Sequence, residues 1–349
     1  MKPKNLFITL MAVLLVVSAA AQNRKQGRQY YYWINQAELA ICDSNYQKAS
    51  DCYHSAFAVK RANVRDAHFA FILNHQCHYN LERACEAFHF LVQAGDKAYN
   101  EYGSYLEDTT ACPELWNCMK IISDTTQSLV DENLYNALDE IRREDQRVRT
   151  TCYENEDLYG AAVDHTDSLN FQKIQQIFQQ YQDINEYNSG RAVMMSAVFI
   201  HFARLRMTTP DVFYEKMVKS GNLSAASYMH NYDYCYHCIF KGDDKTTYGT
   251  DPSYTYIINN TLFIRYPDHI QKINKNRKKL NVAETWEDYV TKVLYVNRRN
   301  DGFRFYPRQF VIRGDEAEEE QREKDERARY DSGEIKGVYY DLDPDMINF

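Results

Sequence analysis

The chain has 349 residues, 44% apolar and 14% aromatic, which is enough to bury a sizeable core and too much for a disordered chain. Glycine (12) and proline (7) are scarce, which excludes collagen-like, glycine-rich and loop-dominated architectures. A formal net charge of −8 gives no electrostatic basis for binding a nucleic-acid backbone or an anionic membrane surface, so no nucleic-acid partner is expected.

The chain opens as an export signal does. Lys2 and Lys4 precede an apolar run from Leu6 to Val17, then Ala19-Ala20-Ala21 and the polar Gln22-Asn23-Arg24-Lys25. A transmembrane span needs about 20 apolar residues, and this run is shorter. The expectation is a signal peptide over 1–21 and a mature chain from Gln22, exported and without a membrane span. Losing Lys2 and Lys4 from 41 basic residues, against 49 acidic ones, takes the charge from −8 to −10.

In an oxidising compartment the nine cysteines become disulfide candidates, and the odd count leaves at least one unpaired within the chain. Cys112/Cys118 and Cys235/Cys238 are close enough in sequence to pair locally. Cys42, Cys52, Cys77 and Cys85 fall on predicted helices, where they also suit a core. His230, Cys235, His237 and Cys238 lack the second ligand pair of a structural zinc site, so no metal and no cofactor is expected.

From Trp33 the apolar spacing is helical. Trp33, Ala37, Ala40 and Ile41 share one face, Asp43-Ser44-Asn45 turns the chain, and Tyr46, Ala49, Tyr53, Ala56 and Phe57 form a second face. This hairpin resembles a tetratricopeptide repeat, and a second copy runs from Asn80 through Ala84 and Phe88 to Leu91. The Ala49 to Ala84 interval is close to the period of about 34 residues. Phe71, Ile72 and His75 stand where small residues are usual, and an ordinary helical bundle remains the alternative. Two repeats need a cap, expected over 96–125 with Tyr99, Tyr102, Tyr105, Met119, Ile121 and Ile122. Ser123 to Ser128 is polar and marks a boundary.

A second helical block follows. Helices are expected over Leu129–Val148, Leu169–Tyr181, Ala192–Leu205, Asp211–Val218, Ser224–Tyr236 and Thr285–Val296. Ser253–Arg265 reads as a strand or a helix. Glu316–Arg329 is almost wholly charged and reads as a solvated helix or frayed tail, with Tyr339–Phe349 either packed back or loose. The expected fold is all-α, with tetratricopeptide-like hairpins over 30–125, a helical domain with room for one short strand pair over 129–312, and a charged tail over 313–349.

The second block carries a series of polar residues. Glu144-Asp145-Gln146 and Arg149 lie on one helix, Asp164 and Gly190 follow, and His201 ends an apolar helix. Asp233 and Tyr248-Gly249-Thr250-Asp251 complete the series. It resembles a bacterial domain of unknown function with an E-D-Q-x-x-R helix, a Gly-led helix ending in His, and a D-R…G…Q-x-Y-G-T-Q segment. In this chain Tyr234 replaces the Arg and Asp251 the closing Gln. The resemblance covers about 130–252 and implies an envelope protein with helical repeats. It implies a repeat face with Tyr31, Ile34 and Glu38 turned to a peptide or protein partner.

Residue by residue, Asp145 and Arg149 are i,i+4 and pair directly, either as a surface ladder or as a polar anchor beside Gln146. His201 either caps its helix or acts as a general acid/base with Asp145 or Asp233. Gly249 is placed to supply a positive φ in a tight turn or pocket loop formed with Tyr248 and Thr250. The candidate catalytic set is His201, Asp145 and Asp233, and the candidate ligand set is Gln146, Arg149, Tyr248, Gly249 and Thr250. No phosphate-binding, dinucleotide, nucleophile-elbow or H-E-x-x-H motif is present. Two functions follow. One is a protein- or ligand-binding module of the envelope, and the alternative is a hydrolase using His201 with Asp145/Asp233 and Arg149.

Overall fold

In the computed structural model, the described residues are 3–77, 80–95, 105–106, 112–152, 156–181, 183–193, 209–239, 246–251, 253–299, 301–306, 310–312 and 315–343. Helix α1 (Pro3–Cys42) pairs with α2 (Tyr46–Val59), and Asn45 caps α2 by accepting from the Lys48 N–H at 3.2 Å. Small Ala37, Ala40, Ala49 and Ala56, all buried, let the two helices approach closely, with Tyr53 and Ile41 filling the seam. Helix α3 (Val64–Ile72), a π turn (Leu73–Cys77) and α4 (Leu81–Ala94) form the next pair. Phe71 and Ile72 are buried there and use the volume that small residues leave open elsewhere.

Helix α5 (Pro113–Thr125) covers α4 and buries Leu115 and Met119, but it turns Ile121 outward at 63% exposure. Cys118 of α5 is disulfide-bonded to Cys85 of α4, with the Cα atoms 6.4 Å apart. The expected local pair Cys112/Cys118 does not form. Cys112 caps the outer end of α5, exposed and unbonded, whereas Cys85 faces the packed side. Tyr99 and Tyr102 of the expected cap lie outside the described residues.

After a coil over 126–131, α6 (Glu132–Cys152) packs along α7 (Glu156–Gln180). Next come the short α8 (Glu186–Ser189) with a 3-10 turn (Gly190–Val193), α9 (Thr209–Ser220) and α10 (Ala225–Ile239). Strands β1 (Thr255–Ile258) and β2 (Thr261–Arg265) make an antiparallel hairpin, so Ser253–Arg265 takes the strand alternative. Asn259 sits at φ 50°, the left-handed conformation that two-residue hairpin turns require and Asn tolerates. Helices α11 (Ile270–Lys279) and α12 (Trp286–Arg298) follow.

The remainder is β3 (Phe310–Ile312), α13 (Glu316–Asp331) and β4 (Gly337–Asp341), and the sheet order is β3-β1-β2-β4. β3 runs parallel to β1, and β4 runs antiparallel to β2 with Phe263 opposite Tyr339. The charged helix α13 is therefore fixed. Glu323 accepts from Asn259 Nδ2 (2.8 Å) and Thr261 Oγ1 (2.7 Å), and Tyr330 packs on Phe263.

Sequence blocks do not map onto separate cores. Helix α1 packs on α9 and α12 as well as on α2, and one apolar cluster runs from Tyr30 to Leu342. The face of α1 expected to meet a partner is covered by the chain itself. Tyr31, Ile34 and Glu38 are all at most 6% exposed, and Tyr31 donates to the carbonyl of Leu223 at 2.6 Å. An apolar stripe next to two more helices is buried intramolecularly because its own chain is the most concentrated partner available.

Candidate functional site

Asp145 and Arg149 do pair, at 2.8 Å across one turn of α6, but as a buried triad. Arg149 also holds both oxygens of Asp167 on α7, at 2.8 and 3.0 Å. Gln146 donates to the other Asp145 oxygen at 2.7 Å. Both aspartates are fully buried and the guanidinium is 14% exposed, so this is not a surface ladder. Arg142, one turn before Asp145, pairs with Asp139 at 2.7 Å. Asp167 was missed in the sequence. Its signal was a polar residue on the stripe Val163, Thr166, Asn170 and Ile174, all of them buried.

Asp233, on α10, gathers the 246–250 loop. Its carboxylate accepts from Thr246 Oγ1 (2.5 Å), the Thr247 and Thr250 N–H groups (both 2.9 Å), Thr250 Oγ1 (2.9 Å) and the Tyr248 N–H. Burial pushes the Asp233 pKa up, and these donors pull it back. Gly249 sits at φ 78°, and a Cβ there would lie 2.4 Å from Trp286 Cδ1, so the turn is sealed against α12. The structure thus brings Asp233 together with Tyr248, Gly249 and Thr250, and Asp145 with Gln146 and Arg149. The first group rests on α10 and the loop after it, the second on α6 and α7. His201 lies outside the described residues, as do the side chains of Cys235, His237 and Cys238.

A third polar cluster lies where α1, α3 and α12 meet. Lys292, 1% exposed, donates to Asn35 Oδ1 (2.7 Å), Glu284 Oε1 (2.7 Å) and Glu38. Arg65 donates to Glu38 Oε1 and to the Phe305 carbonyl, both at 2.7 Å. Arg277 joins Glu284 to the Tyr248 carbonyl, which accepts from Nε at 2.8 Å. Asp66 accepts from the Tyr30 hydroxyl at 2.6 Å. Arg65 and Lys292 balance Glu38, Asp66 and Glu284 around a cavity of about 30 Å³, room for roughly two waters, and Arg277 backs Glu284. Burial works to raise Glu284, but Lys292 and Arg277 against it hold it at about 2. Burial works to lower Lys292, and Glu284 and Glu38 outweigh it and raise its pKa. Lys292 on the stripe Tyr289, Val293 and Val296, and Glu38 between Ile34 and Ile41, were charges on apolar faces. That was the available signal.

A cleft of about 540 Å³ opens at the end of β2 and the start of α11. Arg265, Lys272 and Lys336 line it together with Asp268 and Glu334, and Tyr254 and Tyr266 give it aromatic walls. Arg265 stacks on the Tyr254 ring at 5.8 Å, and Tyr266 packs edge-on to Trp286. Among the described residues neither Lys272 nor Lys336 has an ion-pair partner, whereas Glu334 is bound by Arg329 at 2.8 Å. Among the described residues no group of His, Cys, Asp and Glu is placed to hold a metal, and no helix is long and apolar enough to cross a membrane. Comparison with protein families, with curated proteins and with solved structures gave no match to this chain.

Proposed function

We propose that the chain is an exported binding protein of the bacterial envelope, built on tetratricopeptide-like hairpins, that takes an acidic peptide segment in the cleft between β2 and α11. The observation carrying this reading is where polar groups remain unspent. The carboxylates of Asp145 and Asp233 are consumed by Arg149, Gln146 and the 246–250 loop, whereas Lys272 and Lys336 face a ligand-sized cleft. A hydrolase using His201 with Asp145 or Asp233 is the weaker reading, since a general base needs a lone pair not already filled by protein donors. Export is supported by the signal-like first 21 residues and by a disulfide bridging α4 and α5.

The test is selection from a random peptide library, with N-terminal sequencing of the exported protein. The reading expects enriched peptides rich in Asp and Glu, their loss with Lys272→Glu/Lys336→Glu, and a mature terminus at Gln22. Enrichment of neutral peptides, or binding untouched by the double variant, refutes the cleft. An intact Met1 in the recovered protein refutes export.

A further inference from the structure

A second, smaller pocket forms where three distant segments meet, namely residues 60–63, 183–187 and 221–222. Its volume is about 150 Å³, the size of an engineered cavity that accepts a ligand of about six non-hydrogen atoms. Glu186 builds its floor by accepting from the Val64 N–H (2.8 Å) and the Ser224 N–H (3.1 Å), tying the first turns of α3 and α10 together. Lys60 forms one wall, donating to the Gly221 carbonyl and to Asn222 Oδ1 at 3.3 Å. Gly221, at φ 76°, allows this approach, since a Cβ would stand 3.0 Å from Lys60 Cδ.

Three groups in this pocket have capacity left over. Asn63 is 3% exposed, its backbone N–H is taken by the Tyr30 hydroxyl, and its side-chain nitrogen, near the Tyr31 hydroxyl, has no hydrogen bond of normal geometry among the described residues; it lines both this pocket and the cavity beside Glu38. A buried amide donor left unmatched is costly, so a ligand or water acceptor there is favoured. Arg61, exposed at the pocket's rim, lies over the Tyr187 ring at 5.1 Å and has no ion-pair partner among the described residues. Asp183, an exposed residue, uses one carboxylate oxygen for Asn222 Nδ2, at 2.9 Å, and its other oxygen has no hydrogen bond to a described residue.

We propose that this pocket binds a small zwitterion of the α-amino-acid class, its carboxylate against Arg61 and the Asn63 amide, its ammonium against Asp183. Two cations, Lys60 and Arg61, face two carboxylates, Asp183 and Glu186, so the walls favour a ligand with no net charge over a phosphate dianion or a diamine. The stacked Arg61 fork matches a carboxylate in plane, and L-alanine fits the volume.

Isothermal titration calorimetry of the purified protein with L-alanine and L-serine tests this, with propionate and ethylamine as probes lacking one charge each. Saturable binding of L-alanine is expected, with propionate and ethylamine about tenfold weaker or more. Arg61→Ala and Asp183→Asn each remove one charge-assisted contact and weaken L-alanine by about tenfold at unchanged melting temperature. No saturable binding of either amino acid, or propionate binding as tightly as L-alanine, overturns the proposal. So does wild-type affinity in both variants. If one variant melts early, the other and the two single-charge probes decide the outcome. Peptide selection at the β2/α11 cleft reads out separately, because neither variant touches that cleft.

Discussion

Lys292→Met removes the one ammonium shared by Glu38, Glu284 and Asn35 while keeping the volume of the side chain. Both carboxylates stay buried, at 3% and 6% exposure; each keeps its arginine, Arg65 or Arg277, and Glu284 also keeps the Tyr306 hydroxyl. Deleting one partner of a buried ionic network leaves charge uncompensated and costs about 3–5 kcal/mol. Unfolding entropy of about 2.1 cal/mol/K per residue turns that loss into a melting temperature lowered by about 4–7 °C for a chain of this length. Calorimetry and urea denaturation measure it, with Lys173→Met as control. Lys173 and Glu140 are 45% and 70% exposed, and their pair is worth under about 1 kcal/mol. Adding Glu38→Gln to Lys292→Met should cost less than the two single losses combined, because the neutral amide no longer needs the ammonium. A Lys292→Met variant within about 1 kcal/mol of the parent refutes the interlock.

Gly249→Ala places a Cβ against Trp286 at a positive φ and should destabilise by about 2 kcal/mol or more; a melting temperature at or above the parent's contradicts the sealed turn. Glu284, ordinarily near 4.5 and held at about 2, contributes stability that is complete above its ordinary value and drains away as pH falls toward 2. Glu284→Gln should therefore flatten the acid limb of a stability-against-pH curve, and parallel limbs in the two proteins contradict this. Replacing Cys85 and Cys118 with Ser opens a loop set by their separation of 33 and should cost about 3–4 kcal/mol by loop entropy. In the folded parent, exposed Cys112 should react with a thiol reagent while Cys85 and Cys118 stay protected; protection of Cys112 contradicts the pairing.

Sequence periodicity revealed what depends on neighbours along the chain. The α1/α2 hairpin, the Asp145–Arg149 pair and the positive φ at Gly249 are all decided within a few residues. Periodicity does not carry long-range pairing. The bridge Lys292–Glu38 joins positions 254 apart, β3 and β4 enter the sheet from segments with weak alternation, and Cys118 skips its near neighbour for Cys85. Helix α11 was missed because its outer face is almost wholly Lys, Asn and Arg, and only Ile273 and Arg277 turn inward. Burial of Arg277 has no sequence signature at all. It becomes favourable only when Glu284, the Tyr248 carbonyl and the Tyr289 ring all reach it.

These separate features join into one polar chain. Asp233 accepts from the Tyr248 N–H, the Tyr248 carbonyl accepts from Arg277, and Arg277 holds Glu284. Glu284 takes Lys292, Lys292 takes Glu38, and Glu38 takes Arg65, whose other arm ends on the Phe305 carbonyl. Each link matches a donor to an acceptor inside a low-dielectric interior, while Arg277 Nη2 is left without a partner among the described residues. The Tyr248-Gly249-Thr250 turn and the Glu38 face, which read as a pocket loop and a docking surface in the sequence, are therefore two ends of the device that locks α10 to α1 and α3. Residue types suited to catalysis or recognition are here spent on specificity of packing, and ligand chemistry falls to the groups this network leaves out, at the β2/α11 cleft and the Arg61 pocket.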